Sequence, residues 1–152
     1  MLIARKQAAA LGEKLRRRRR RIVFTNGVFD ILHRGHVAYL AKARSFGDVL
    51  IVGLNSDKSV RRLKGPGRPL QKQGDRAVIL SALRVVDYVV VFGEETPDKL
   101  VQEIKPDVLV KGADYRLSEI AGARFVKTNG GSVRRVRLTP GRSSSKLVKK
   151  LS

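Results

Sequence analysis

The chain has no cysteine. That removes disulfides, thiolate metal sites and cysteine nucleophiles, and it suits a reducing compartment. It has no tryptophan, and aromatic residues make up only 5%. Few stacking platforms are therefore available for a single-stranded nucleic acid. No run of about 18 or more apolar residues occurs, so no transmembrane helix is expected. The N-terminus lacks the apolar stretch and small-residue cleavage site of a secretory signal. A cytoplasmic location is the expectation. Acidic residues are scarce, 13 against 33 basic, for a net charge of +20. Histidine is scarcer still, with two in the chain.

At 152 residues, 42% of them hydrophobic, the chain fits one compact domain with a real core. A strong basic excess attracts polyanions such as nucleic acid, lipid surfaces or phosphorylated metabolites. The excess is uneven. Residues 1–21 hold nine basic residues, including Arg16 to Arg21 in a row, against Glu13 alone. That segment reads as a solvated basic N-terminal arm, with the folded domain at 22–152.

From Ile22 onward, short apolar runs alternate with longer amphipathic ones. Residues 22–25, 48–54, 88–92, 108–110 and, more weakly, 132–136 read as strands. Their continuous β-branched character suits a parallel sheet covered on both faces. Residues 36–46, 75–85, 97–104 and 142–151 read as helices, and 63–74 as one flexible basic loop. The alternation predicts an α/β fold with a doubly wound, five-stranded parallel sheet. Ligands of such sheets sit beyond the carboxyl ends of the strands, where the strand order switches.

The most specific segment is Thr25-Asn26-Gly27-Val28-Phe29-Asp30, running through Ile31 and Leu32 to His33-Arg34-Gly35-His36. It joins the first of these strands to the first helix, where free amides and the helix dipole favour an anion. Gly27 and Gly35 permit close backbone approach. Both histidines fall here, three residues apart, and can donate to phosphate oxygens as charge develops. Zinc is poorly served, because Asp30 is the only nearby third ligand. The segment matches neither a P-loop nor a GxGxxG fingerprint, so a P-loop kinase and a dehydrogenase are excluded.

His33-Arg34-Gly35-His36 resembles the HxGH signature of a nucleotidyltransferase superfamily, and Thr25 to Asp30 resembles its TxGxFD element. Further stretches follow in order: 52–57 with Asn55 and Asp57, 61–69 with Lys64, Asp75-Arg76, 105–112 with Lys111 and Gly112, and Gly141-Arg142-Ser143-Ser144-Ser145. Over residues 22–151 the chain is similar to the adenylyltransferases that make ADP-heptose. Ala113 stands where that family commonly has glycine, and Ser144-Ser145 where it commonly has two threonines. In many bacteria the activity is fused to a sugar kinase, and at this length the chain resembles the stand-alone form.

The resemblance implies a Rossmann-like HxGH fold and transfer of AMP from ATP to D-glycero-β-D-manno-heptose 1-phosphate for lipopolysaccharide core synthesis. It implies catalytic His33, His36 and Lys64. It places nucleotide on Thr25, Asn26, Gly27, Phe29, Gly35, Asn55, Asp57, Lys111, Gly112, Arg142, Ser143, Ser144 and Ser145. It places the acceptor on Asp30, Arg76 and Asp114. Several of these have a plainer reading too: Lys64 in a solvated loop, Lys111 as an exposed lysine, Arg142 to Ser145 as a helix cap alone, Asp57 as a helix cap, Asp30 as a turn stabiliser, Arg76 in a surface salt bridge. Magnesium is expected to travel with ATP, with no protein metal site. Neither nucleic acid nor membrane is expected as a partner, and a homo-oligomer, dimer or higher, is expected. Two rival readings are a cytidylyltransferase acting on glycerol 3-phosphate or a related alcohol phosphate, and a basic nucleic-acid-binding module.

Overall fold

The computed structural model of the chain describes residues 1–140 and 144–151, with side chains in the latter stretch at 146–150. The strands are β1 (Leu2–Ile3), β2 (Ile22–Gly27), β3 (Val49–Asn55), β4 (Tyr88–Phe92), β5 (Val108–Gly112) and β6 (Ser132–Val136). The α-helices are α1 (Ala8–Arg17), α2 (Arg34–Arg44), α3 (Asp57–Lys64), α4 (Gln73–Ser81), α5 (Asp98–Ile104), α6 (Ala123–Thr128) and α7 (Ser144–Leu151). The strands form one sheet in the order β1-β4-β3-β2-β5-β6, and every pairing is parallel. The order reverses between β2 and β5, which is the switch point that the doubly wound pattern predicts.

Side chains alternate across each strand, and the alternation sorts the core into two layers. Ile22, Phe24, Ile51, Val90, Phe92 and Leu109 pack on one face against α1, α5 and α6. Val23, Leu50, Val52, Leu54, Val89 and Val110 pack on the other against α2 and α4. β3 is buried along its whole length, so its run of Val, Leu and Ile needs no polar alternation.

Two expectations are corrected. The sheet has six strands among the described residues, because the two-residue β1 adds to the outer edge of β4. So short a strand carries no periodic signal. The supposed basic arm is also built into the domain. Ala8, Leu11 and Leu15 form an apolar stripe on α1 and are buried. A Cβ at Gly12 would collide with the Ile104 carbonyl, so glycine there lets α1 lie close against the end of α5. Arg16 then donates to the Ile104 carbonyl at 2.6 Å, closing an orphan acceptor of that helix. Arg5 pairs with Glu94 and Glu103.

The stretch 63–74 is likewise not one loop. α3 runs to Lys64 and stops at Gly65, whose φ of 93° only glycine adopts readily. α4 begins at Gln73.

Candidate active site

β2 and β5 diverge at their carboxyl ends and leave a crevice with two joined lobes, of about 530 and 270 Å³. Asn26 to Phe29, His36, Lys64, Lys111 and Tyr115 line both. The loop after β2 doubles back on itself. Phe29 takes a φ of 46°, unusual for a large side chain and characteristic of strained functional loops. Its ring lies over Gly27, where a Cβ would stand 2.9 Å from it.

His33 caps α2, and its Nδ1 accepts from the Gly35 amide at 3.1 Å. The neutral ring therefore carries its proton on Nε2. The His33 and His36 rings stack with centroids 3.9 Å apart, and Phe29 meets His36 edge-on at 5.3 Å. Burial, then the neighbouring His33, lower the pKa of His36 to about 4. Lys64 acts in the same direction, and a hydrogen bond with the Ile31 backbone opposes them. His36 is thus neutral at pH 7 with a single N–H, which an incoming anion would have to take over from the Ile31 backbone.

Lys111 spans the switch point, donating from Nζ to the backbone and side-chain oxygens of Asn26 at 3.1 and 3.2 Å. It sits 4.8 Å from the Tyr115 ring centroid. Burial lowers its pKa to about 8, against the pull of Asp114. Lys64, at the end of α3, is exposed and lines both lobes. The cleft thus joins two imidazoles to two lysines drawn from separate elements.

Asn55 and Asp30 line the larger lobe; Gly35, Gly112 and Asp114 line the smaller. Asp30 is 2% exposed and accepts from the amides of Leu70 and Gln71, all within 3.0 Å. Its carboxylate anchors the segment between α3 and α4 below the cleft. Three other expected site residues lie outside the cleft lining. Thr25 is fully buried, with Oγ1 2.8 Å from the Tyr39 hydroxyl. Arg76 is turned toward protein groups. It is 1% exposed, and its guanidinium donates to the carbonyls of Gln71, Val28 and Asn55 and to Asp57 at 2.7–2.9 Å. Asp57 is that arginine's partner, while Ser56 caps α3 by accepting from Ser59 N. A surface salt bridge is not its role either, since the Arg76 side chain is fully enclosed. Arg142 and Ser143 lie outside the described residues, as do the side chains of Ser144 and Ser145.

The sequence reading missed Tyr115, Leu138, Thr139 and the lobe-lining Glu95 and Glu119. Tyr115 stands four residues beyond Lys111 and was visible in that spacing. The others reach the cleft only through tertiary folding.

The cytidylyltransferase-like family profile matches residues 24–149. The chain belongs to the cytidylyltransferase-like family. That makes it a nucleotidyltransferase by kinship. It is 55% identical to the bifunctional protein HldE of Campylobacter curvus over 147 residues, 96% of this chain and 31% of that protein. It is 55% identical to the HldE of Wolinella succinogenes over 150 residues, 99% of this chain and 31% of that one. The chain thus spans about a third of the length of these curated relatives. Among solved structures, the lipopolysaccharide core biosynthesis protein of Thermoplasma volcanium superposes with a TM-score of 0.63 at 33% identity, over 79% of this chain and 97% of that one. The pantoate-beta-alanine ligase of Francisella tularensis, at 18% identity and a TM-score of 0.64 over 100% of this chain and 73% of that one, shares the fold.

Proposed function

We propose that the chain transfers AMP from ATP to D-glycero-β-D-manno-heptose 1-phosphate, releasing pyrophosphate, as a step of lipopolysaccharide core synthesis in the cytoplasm. The carrying observation is the stacked His33–His36 pair between Lys64 and Lys111 at the switch point. The kinship with HldE and with a lipopolysaccharide core biosynthesis protein supports the choice of substrate.

The acceptor's phosphate oxygen attacks the α-phosphorus. A new P–O bond forms, the bond to the β-phosphate oxygen breaks, and its electron pair leaves on pyrophosphate. The nucleophile is already ionised near pH 7, so no general base is needed. Positioning and charge stabilisation carry the rate. His33 and His36 donate to the phosphates as charge moves to the leaving group, and Lys64 and Lys111 offset it. Among the described residues no three His, Asp or Glu side chains group as a metal cage. Magnesium would then arrive on the triphosphate, held mainly by its oxygens, and share in neutralising the charge.

The test is pyrophosphate release with ATP, CTP and GTP, each with and without the heptose 1-phosphate. Heptose-dependent release with ATP is expected. Release only with CTP and glycerol 3-phosphate would move the substrate assignment to the cytidylyltransferase alternative.

A further inference from the structure

The two lobes differ in charge. Only the larger one is lined by Arg68, Glu95 and Glu119, and only the smaller by His33, Gly35 and Gly112. Three carboxylates, Asp30, Glu95 and Glu119, line the larger lobe against Asp114 in the smaller, and a triphosphate is repelled by the more acidic wall. Carboxylates do suit a polyol, because each oxygen accepts from hydroxyls and a pair of them can receive neighbouring groups.

Arg68 lines the larger lobe and not the smaller, whereas Lys64 and Lys111 line both. The Arg68 Nε lies 2.8 Å from Asp30, whose carboxylate already holds the amides of Leu70 and Gln71. Nε pairs with that carboxylate, while Nη2 is buried and has no hydrogen-bond partner among the described residues. Only 14% of the Arg68 side chain is exposed. A buried guanidinium nitrogen without a partner is costly, and a water or an anion relieves it. Asp30 thus reads as the group that presents Arg68, and the fixed fork of a guanidinium matches a phosphate.

We propose that the larger lobe is the acceptor subsite, with Arg68 binding the acceptor's phosphate and Glu95 and Glu119 receiving its hydroxyls. The acceptor's identity as a heptose phosphate rests on the function proposed above; the split of the cleft does not. The shared wall of His36, Lys64 and Lys111 is then where the two phosphates meet.

The test compares wild type, Arg68→Gln and Arg68→Lys in pyrophosphate release, with ATP and heptose 1-phosphate varied independently. Losing one charge-assisted contact should raise the acceptor KM about 10- to 100-fold, with the ATP KM within about twofold. Arg68→Lys should recover part of the loss. Glu95→Gln with Glu119→Gln should cut the preference for heptose 1-phosphate over glycerol 3-phosphate by about tenfold. Melting curves separate these effects from unfolding. A rise in the ATP KM instead, or no change in either KM, overturns the assignment. If wild type works only with CTP and glycerol 3-phosphate, the proposed function falls, and the Arg68 effect is read on the glycerol 3-phosphate KM. If neither pair turns over, calorimetry with heptose 1-phosphate decides. Binding that Arg68→Gln abolishes supports the subsite, and absence of binding to wild type overturns it.

Discussion

The two ends of the sheet use charge in opposite ways. At the amino end the acids are committed: Asp107 accepts from Ile22 N at 2.7 Å, Asp48 from Arg21 N at 2.7 Å and Asp87 from Leu50 N at 2.8 Å. Each satisfies an amide where a strand enters the sheet. Arg17 to Arg20 beside them face water. At the carboxyl end the cations are the positioned groups. Lys111 is tied to Asn26, Arg68 is braced by Asp30, and Arg76 is walled in. A composition count weighs all these charges equally, yet one end contributes a net field and the other a geometry.

The sharpest way to break the comparison is to remove the innermost cation. Arg76→Met strands three carbonyls and the Asp57 carboxylate. Removing one partner of a buried pair costs about 3–5 kcal/mol. Urea unfolding should show that loss, and Arg76→Lys should not restore it, because an ammonium cannot span four acceptors in a planar fork. A variant of wild-type stability would mean that Arg76 is not the clamp joining the Val28 loop, the end of β3 and the start of α4.

Next come the histidines. His33→Ala or His36→Ala should lower turnover by about 10²- to 10³-fold, the usual scale for losing one preorganised donor, with the fold retained in melting curves and His33→Ala losing about 1 kcal/mol with its cap. Full pyrophosphate release from either variant would sink the catalytic assignment. At the amino end the largest effect should be apolar. Leu15→Ala should destabilise the domain by about 2–3 kcal/mol, since Leu15 is 5% exposed on the buried face of α1. A negligible effect in denaturant unfolding would return residues 1–21 to the status of an arm.

These cases show what could be read in advance. The strands were legible because runs such as Val49 to Leu54 are apolar on both faces, and the His33–His36 site because its residues are neighbours in the chain. The stripe Ala8, Leu11 and Leu15 was present at helical spacing, but the surrounding arginines drew the reading toward solvent. The enclosure of Arg76 is not legible locally, because its partners Val28 and Asn55 lie 48 and 21 residues away. A local pattern cannot distinguish an arginine that reaches for a ligand from one that closes a turn beneath it. Asp30 and Arg68 pose the same problem, paired across a loop whose anchoring is purely tertiary.

A smaller effect should follow pH. Lys111 falls from its ordinary value of 10.5 to about 8. A triphosphate favours the charged form, so nucleotide affinity should weaken as pH rises above about 8, by at most tenfold per pH unit for one proton. The stability sign is opposite. Between about pH 8 and 10.5 the unfolded chain binds more protons at this lysine, so its contribution to stability rises with pH across that window. Lys111→Met should flatten both trends. Nucleotide titrations at pH 7 and 9 check the first and unfolding curves the second. An undiminished pH dependence in the variant would assign the titration to another group.

The smallest expected effect is also the one that most sharpens the contrast. Arg17→Gln, Arg18→Gln and Arg19→Asn together remove three charges from the amino end. Arg17 makes only a 3.6 Å pair with exposed Glu13, a kind of contact that contributes little. Arg19 sits at a φ of 54°, which asparagine tolerates better than arginine. The triple variant should keep kcat and both KM values within about twofold at 150 mM salt, where fields from the far end are screened beyond about 8 Å. Its melting midpoint should move by no more than about 2 °C. A change confined to low salt would reveal long-range steering of anionic substrates by the net charge. A loss of activity that persists at high salt would mean that the amino end acts through structure, and the two ends would then differ in degree and not in kind.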